Sequence, residues 1–418
     1  MCAEFNVCGD LFGVNMSPDE ENSAFRMYPV RSKDKFLVFG APSIGDEEVN
    51  AVVETMRGGW LGTGPRVAEF ESAIARYKMC HHAVALNSCT AALHLSLLSA
   101  GVGPGDEVIT TPLTFCATIN SIIHTGATPV LVDVDRKSMN INPDLIAKAI
   151  TPRTKAVLPV HFAGRSCEMD SIVSICNENQ LLLIEDCAHA IETTYHGRAV
   201  GTFGDYGCMS FYVTKNLATG EGGMVLVRDA EAASRIKVLA LHGMNYDAWK
   251  RFSDEGYKHY DVVTAGFKYN MMDIQAAIGL QQLAKLESFW LRRLQIWQRY
   301  NEAFENLPVT LPAVSAPNTR HGLHLYTILI DPEQTNGITR DEFMIRMAQQ
   351  NIGIGVHYRS VVDHEYYRRQ FGWRPEDTPH ATQIGRQTVS IPLSAKLTDG
   401  DVDDVICAVQ RCLKSGRS

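Results

Sequence analysis

The sequence predicts an α/β protein with a mainly parallel sheet sandwiched by helices, followed by a smaller C-terminal α+β domain. Two observations predict the sheet. Short continuous apolar runs alternate with helical patterns, as βαβ units require. Polar residues such as Asp186 and Lys215 stand where those runs end, and an open α/β sheet binds its ligands beyond the carboxyl ends of its strands. The second domain is predicted by a change of character after about Lys285, where long helices replace the alternation.

Taken in order, the first 35 residues read as a polar arm. In SIGDEEVNAVVETMRGG, Asp46 reads as a cap before apolar positions at helical spacing, with Gly58 and Gly59 closing the helix. PRVAEFESAIARY repeats that period. Strand and helix then alternate: HAVAL with TAALHLSLLSAG, DEVITT with FCATINSIIHTG, TPVLVDVD with PDLIAKAI, and KAVLPVHF with MDSIVSICNEN. LLLIED, MSFYV and GGMVLV follow as strands. The long helical stretch DIQAAIGLQQLAKLESFWLRRLQIWQRYNEAFENL comes next, then a proline-rich segment from Pro308 to Pro317. HLYTILI reads as a strand, RDEFMIRMAQQ as a helix and DVDDVICAVQRCL as a last helix. The expected domains are therefore 1–35 (arm), 36–285 (large) and 286–418 (small).

Composition narrows the function classes. With 418 residues, 45% of them hydrophobic and 21% charged, the chain suits a globular protein of two lobes. A net charge of −8 argues against nucleic acid or a membrane surface as the main partner. Eleven cysteines without a CxxC pair read as reduced thiols. The N-terminus lacks the apolar core of a secretory signal, and no apolar run approaches the roughly 20 residues of a membrane span. The expected location is the cytoplasm.

Three features carry candidate chemistry. Asp186 ends one strand, and Lys215 follows another 29 positions later, beside a loop rich in glycine. Asn87, Ser88, Cys89 and Thr90 lie between a strand and a helix, where free amides, the helix dipole and hydroxyls favour a phosphate. An ordinary Ser/Thr helix cap reads the same way. The glycines of GGWLGTGP form no dinucleotide fingerprint, and no nucleotide P-loop is present. Together the carboxylate, the amine and the phosphate cradle suggest pyridoxal 5'-phosphate. Only an amine forms an imine with its aldehyde, and only an anion keeps its ring nitrogen charged. The alternatives are a surface lysine, a metal pair of Asp186 with His189 that lacks a third ligand, and a core histidine at 189.

EDCAHAIETTYHGRAVGTFGDYGCMSFYVTKNLATGEGGMV and NSCTAALHLSLLSAGVGPGDEVITTPLTFCATINSIIHTGATPVLVDVD resemble the two halves of the DegT/DnrJ/EryC1 family of nucleotide-sugar aminotransferases. LHGMNYDAWKR, GFKYNMMDIQAAIGL and IGIGVHYRSVVDHEYYRRQFGW look most like the members that make UDP-4-amino-4-deoxy-L-arabinose. The resemblance runs from about Phe36 to the C-terminus and implies the fold of aspartate aminotransferase (PLP fold type I), in a homodimer with shared active sites.

The same resemblance implies the roles. Lys215 carries the cofactor, Asp186 faces the pyridine nitrogen, and His189 lies near the 3-hydroxyl. Cys89, Thr90 and Ser210 match the phosphate cup, and Phe115 the aromatic stacked on the ring. Many relatives have GYNYRM where this chain has GFKYNM, so Lys268 and Asn270 replace an asparagine that reaches the phosphate across the dimer and a neighbouring arginine. Trp60, His357 and Arg359 are candidates for sugar-nucleotide contact, against readings as a core tryptophan, a packed histidine and a surface arginine. The implied reaction moves the amino group of L-glutamate to a 4-keto nucleotide sugar, for lipopolysaccharide or another surface polysaccharide. Relatives that act as sugar dehydratases replace the lysine by histidine, which Lys215 argues against. A non-catalytic regulator binding the cofactor or a sugar nucleotide is the other alternative, disfavoured by the intact Lys215–Asp186 pair.

Overall fold

The computed structural model describes residues 29–245 and 259–414. Most of the expected N-terminal arm and the YDAWKR part of LHGMNYDAWKR lie outside them. The alternating apolar runs form strands β1 (His82–Leu86), β2 (Glu107–Thr110), β3 (Thr128–Leu131), β4 (Thr154–Leu158) and β5 (Leu182–Asp186). A small hairpin, β6 (Thr194–Tyr195) with β7 (Arg198–Ala199), precedes β8 (Tyr206–Ser210) and β9 (Gly223–Val227). Seven of them make one sheet in the order β1-β9-β8-β5-β4-β2-β3. β9 runs antiparallel to β1 and β8, and the other pairs are parallel. The mainly parallel sheet is as expected.

Both faces are covered, which is why the strands read as continuous apolar runs. Along β9, Met224 and Leu226 enter one core with Phe70, Ile74 and Ile172, while Val225 and Val227 enter the opposite core with Leu93, Leu95 and Ile236. Adjacent side chains of a strand point to opposite faces, so one strand serves two cores.

The helix Asp273–Phe304 joins the lobes. Its first half lends Ala276 and Leu286 to the core around Phe70; its second lends Ile296, Tyr300 and Phe304 to the core of the smaller lobe. The expected division at residue 285 falls inside this helix. Asp273 also holds the start of the helix Pro65–Lys78: Oδ1 accepts from the amides of Gly64 (2.8 Å) and Val67 (2.9 Å), and Oδ2 from Arg66 (3.1 Å). The smaller lobe adds an antiparallel pair, β10 (Tyr326–Leu329) with β11 (Thr388–Ile391), packed on helices Arg340–Gln349 and Asp399–Lys414.

Local details differ from expectation. Asp46 is the first residue of helix Asp46–Arg57 rather than its cap; Gly45 takes that place, and Glu48 Oε2 accepts the Gly45 amide at 2.7 Å. The hairpin β6–β7, strand β11 and the helices Glu365–Phe371 and Pro379–Gln387 went unread, being short segments ordered by tertiary contact.

At the end of β5 two adjacent carboxylates have opposite duties. Fully buried Glu185 accepts the amides of Gly201 (2.7 Å), Phe203 (2.8 Å) and Gly204 (2.8 Å), and pairs with His161 Nε2 at 3.1 Å. Burial opposes its charge, but His161 and the amides outweigh that and hold the carboxyl below its ordinary range. Stability from such a group is present above the unfolded-state pKa and is lost as pH falls through the lower folded-state value. Glu185→Gln turns an NH2 toward these donors, so it should lower the unfolding free energy by about 2–4 kcal/mol. Denaturant titration checks this; an unchanged midpoint and slope would mean that the carboxylate does not fasten the 201–204 loop.

Candidate active site

Asp186, one residue on, points to the other face. Its Oδ2 accepts from Thr118 Oγ1 at 2.9 Å, Thr118 in turn meets Thr114 Oγ1 at 2.7 Å, and its Oδ1 accepts the Ala188 amide at 3.1 Å. Burial pushes this carboxyl up, against the pull of Ala188, Thr118, Lys215 and His161. Asp186 thus differs from its neighbour: it is buried but under-compensated, and a further cation would favour its charged form.

Lys215 lies in the loop between β8 and β9, five residues past the strand end, with its amide donating to Tyr212 O at 2.8 Å. Its Nζ stands 3.5 Å from His324 Nε2. Burial lowers the ammonium to about 8, against the pull of Asp186. An amine with that value is a competent nucleophile and base near neutrality. The neighbouring glycines have a steric reason. A Cβ on Gly222 would strike Thr219 Oγ1, and one on Gly223 would strike the backbone of Ser88 and Cys89. Without side chains, β9 can press against the turn that opens helix Cys89–Ser99.

His189 is neutral, with its tautomer fixed. Nδ1 accepts the Ala163 amide at 3.2 Å, leaving Nε2–H to donate to Tyr358 Oη at 2.9 Å. Burial, then Lys215, His324 and His357, hold its pKa well below the usual imidazole value. His357 Nδ1 meets Ser390 Oγ at 2.9 Å and its ring stacks on Phe39; burial lowers it to about 4. It is a packed histidine that also faces Lys215.

At the start of helix Cys89–Ser99, Ser88 is the cap, its Oγ accepting the Ala91 amide at 3.1 Å. Among the described residues the amides of Cys89 and Thr90 donate to nothing. Burial raises the Cys89 thiol well above its ordinary value, so it stays neutral. Thr90 is exposed, and Ser210 Oγ, at the end of β8, accepts the Tyr212 amide at 3.4 Å. Phe115 caps the helix Cys116–His124 and is 57% exposed, its ring centroid 5.9 Å from that of Tyr358. Free amides for a phosphate, an amine, an under-compensated carboxylate and a flat aromatic surface are together a donor set that fits pyridoxal phosphate.

Four predicted residues are not in this group within one chain. Trp60 is exposed and donates Nε1–H to Thr63 O at 3.0 Å, so it is no core tryptophan. Asn270 Nδ2 donates to Thr63 Oγ1 at 2.7 Å, and its Oδ1 is buried without a partner among the described residues. Lys268 is exposed; its carbonyl accepts from Asn87 Nδ2 at 3.3 Å, beside the Ser88 turn. Arg359 is exposed and donates to Asp363 O at 2.6 Å.

Thr118, Tyr358, His324 and Asn216 belong to the site but were not read from the sequence. Thr118, His324 and Tyr358 reach it from distant segments, and Asn216, next to Lys215, gains its role only through its bonds to His324, Glu192 and Gly322; no local pattern marks them. The metal reading of Asp186 with His189 has no geometric support, since both have other partners. Buried His161, Glu185 and Cys187 lie close enough to share an ion, but Glu185 and both nitrogens of His161 are engaged in hydrogen bonds.

Residues 42–410 match the DegT/DnrJ/EryC1/StrS aminotransferase family. The chain is 48% identical over 386 residues to the spore coat polysaccharide biosynthesis protein SpsC of Bacillus subtilis, covering 92% of this chain and 99% of that protein. Its fold superposes on Spr1654 of Streptococcus pneumoniae in its PLP form with a TM-score of 0.84 at 31% identity, over 92% of this chain and all of the other. The value is also 0.84, at 28% identity, for Helicobacter pylori PseC, an aminotransferase of pseudoaminic acid biosynthesis, over 91% of this chain and 100% of PseC. A lysine and a carboxylate at strand ends, over an open helix N-terminus, thus recur in a chain that matches sugar aminotransferases nearly end to end: it belongs to the DegT/DnrJ/EryC1/StrS family and is a PLP-dependent sugar aminotransferase.

Proposed function

We propose that this enzyme transfers the amino group of L-glutamate to a 4-keto nucleotide sugar, giving a 4-amino sugar nucleotide for a surface polysaccharide such as lipopolysaccharide. The observation that carries the site assignment is a buried amine, lowered to about 8, that feels a buried, under-compensated carboxylate through space, the carboxylate at the end of β5 and the amine in the loop after the adjacent β8. The polysaccharide assignment is supported by the name of SpsC. No described helix is long and apolar enough to cross a membrane, which is compatible with work in the cytoplasm on soluble sugar nucleotides.

The cofactor, when bound, supplies an electron-withdrawing ring beside the carbon that loses its proton. In this reading Lys215 would hold the cofactor through its amine and, when free, would serve as the base that moves the proton at the substrate carbon. Asp186 keeps the ring nitrogen protonated, with Thr114 and Thr118 orienting the carboxylate. His189, held by Tyr358, would lie near the 3-hydroxyl, and Phe115 would cover the ring. Cys89, Thr90 and Ser210 receive the phosphate. Trp60, His357 and Arg359 contact the sugar nucleotide, and residues 36–285 and 286–418 act as the two lobes enclosing it.

A homodimer with shared sites fits the surface. Trp60, Leu61, Phe115, Tyr212 and Met272 are large apolar side chains that remain exposed in the single chain. The Nζ of Lys268 has no hydrogen bond or ion pair among the described residues, which supports a contact in the partner's phosphate site; Asn270, tied to Thr63, supports the turn. The dehydratase reading is disfavoured because Lys215 occupies the lysine position, and the regulator reading because the amine and carboxylate are intact.

The function is tested by incubating the holoenzyme with glutamate and UDP-, GDP- or dTDP-linked 4-keto sugars and detecting 2-oxoglutarate. Turnover with one of them is expected, and borohydride should fix the cofactor on Lys215. Absence of even the glutamate half-reaction would favour the regulator, and an adduct on another lysine would refute the site. Asp186→Asn should retain cofactor but lose transamination by on the order of a hundredfold to a thousandfold, as loss of one preorganised charge does. Near-normal kcat would contradict the role of this carboxylate.

Subunit mixing tests Lys268. Lys215→Ala should be inactive, and Lys268→Ala should be weak chiefly in cofactor retention. In a heterodimer with a shared site, both defects fall in one site and leave the other intact. An equal mixture should therefore recover roughly a quarter of all sites under random two-fold pairing. Activity no higher than the sum of the separate variants, with exchange demonstrated, would place Lys268 at its own chain's phosphate.

A further inference from the structure

His324 enters the site from the smaller lobe, at the approach to β10, with Nε2 facing Lys215 Nζ at 3.5 Å. What it can do there depends on which ring nitrogen carries the proton. Nδ1 lies 3.1 Å from Asn216 Oδ1. The orientation of that amide is fixed in turn, because Asn216 Nδ2 donates to Glu192 Oε2 at 2.9 Å and to Gly322 O at 2.7 Å. Glu192 is itself buried in an ion pair with Arg293. Two acceptors on Nδ2 leave the amide oxygen facing the ring, so His324 must donate from Nδ1. Its Nε2 then carries a lone pair, and that lone pair faces the amine.

We propose that His324 is a positioning residue for the transamination, a hydrogen-bond acceptor that holds the Lys215 ammonium whenever the lysine is free of the cofactor. The chain Arg293–Glu192–Asn216–His324 sets the tautomer that makes this possible. The proposal rests on Lys215 being the cofactor lysine. Burial, then Lys215 itself, pushes the His324 pKa well below the ordinary imidazole value, so the ring does not take the proton from the amine. It receives a hydrogen bond and returns none. An amine that must present its proton to one carbon and then to another gains a fixed resting place from such an acceptor. The other titratable groups around Nζ are Asp186, Cys89, His189 and His357. Near pH 8 all three imidazoles and the Cys89 thiol are neutral, so a charged Lys215 leans on Asp186 through space and on His324 through a hydrogen bond.

The sign of the effect follows. An acceptor for N–H favours the charged amine, so removing it should lower the Lys215 pKa further. The test uses the apoprotein first: amine-reactive labelling of Lys215 is followed against pH by mass spectrometry, which needs no cofactor chemistry. The unaltered protein should show a midpoint of about 8. His324→Asn keeps a polar group on the Asn216 side but cannot reach Nζ, whereas His324→Gln places an amide oxygen near the lost Nε2. The Asn variant should shift the midpoint downward, and the Gln variant should stay near the original value. In the holoenzyme, the Asn variant should lose roughly ten- to a hundredfold in kcat with little change in KM for either substrate, and the Gln variant should recover much of it.

Equal behaviour of the two variants, an upward shift, or an unchanged midpoint would overturn the proposal. A loss confined to KM would make His324 a substrate contact instead, and would overturn it too. If labelling shows the predicted shifts while borohydride reduction of the holoenzyme marks another lysine, the site assignment fails and the hydrogen bond stands. The two ideas therefore fail separately.

Discussion

The site depends on keeping an amine and a carboxylate unneutralised in one dry pocket. Left alone, buried groups of this kind lose their charges or pair with each other. Here neither happens fully. Asp186 receives only a hydroxyl and an amide, and burial still raises it, while Lys215 is lowered to about 8 with an imidazole lone pair as its near neighbour. The restraint is structural: the two groups leave the ends of adjacent strands, but Lys215 sits in a loop that ends at Gly222, close against Thr219, and Gly223, packed against the Ser88 turn. A carboxylate that wants a cation and an amine that is half free near pH 8 are what a pyridine nitrogen and an aldehyde require.

The alternation of β5 separates anchoring from chemistry. Glu185 and Asp186 are neighbours, yet they face opposite sides of the sheet. Glu185 spends its charge on three backbone amides and His161, which stiffens the 201–204 turn leading into β8. β8 carries Ser210 and leads to Lys215. The strand that presents the reactive carboxylate thus also fixes, through the other face, the approach of the strand that leads to the reactive amine.

Much of this was legible in the sequence, and the limit was set by sequence distance. Asp186, Lys215 and the turn at Ser88 each mark themselves locally, as a polar residue closing an apolar run or a small polar group opening a helix. Thr118 meets Asp186 across 68 positions, His324 meets Lys215 across 109, and Tyr358 meets His189 across 169. No periodicity records such pairs. His324 is the clearest case: it stands just before β10, where a histidine has no special meaning until the strand's lobe is docked. The helix Asp273–Phe304 was read correctly as a long helix, but its share in two cores could not be, because both halves follow the same apolar spacing.

The residues that remain scattered have a common physical feature. Lys268 has no counter-charge among the described residues, Trp60 and Phe115 expose aromatic area, and the amides of Cys89 and Thr90 have no acceptor. Unmet groups of three different kinds, cationic, apolar and hydrogen-bonding, border one region of the chain, because the GFKYNM segment lies against the Ser88 turn through Lys268 O and Asn87 Nδ2. Exposed aromatic surface beside free amides is unfavourable in an isolated chain, and one face cannot be covered by water and by protein at once. The free amides suit a phosphate, and in the proposed homodimer a second copy would cover Trp60 and bring Lys268 to its phosphate site. The single chain holds the chemistry of the lysine, and in the proposed homodimer the partner would complete the enclosure of the substrate.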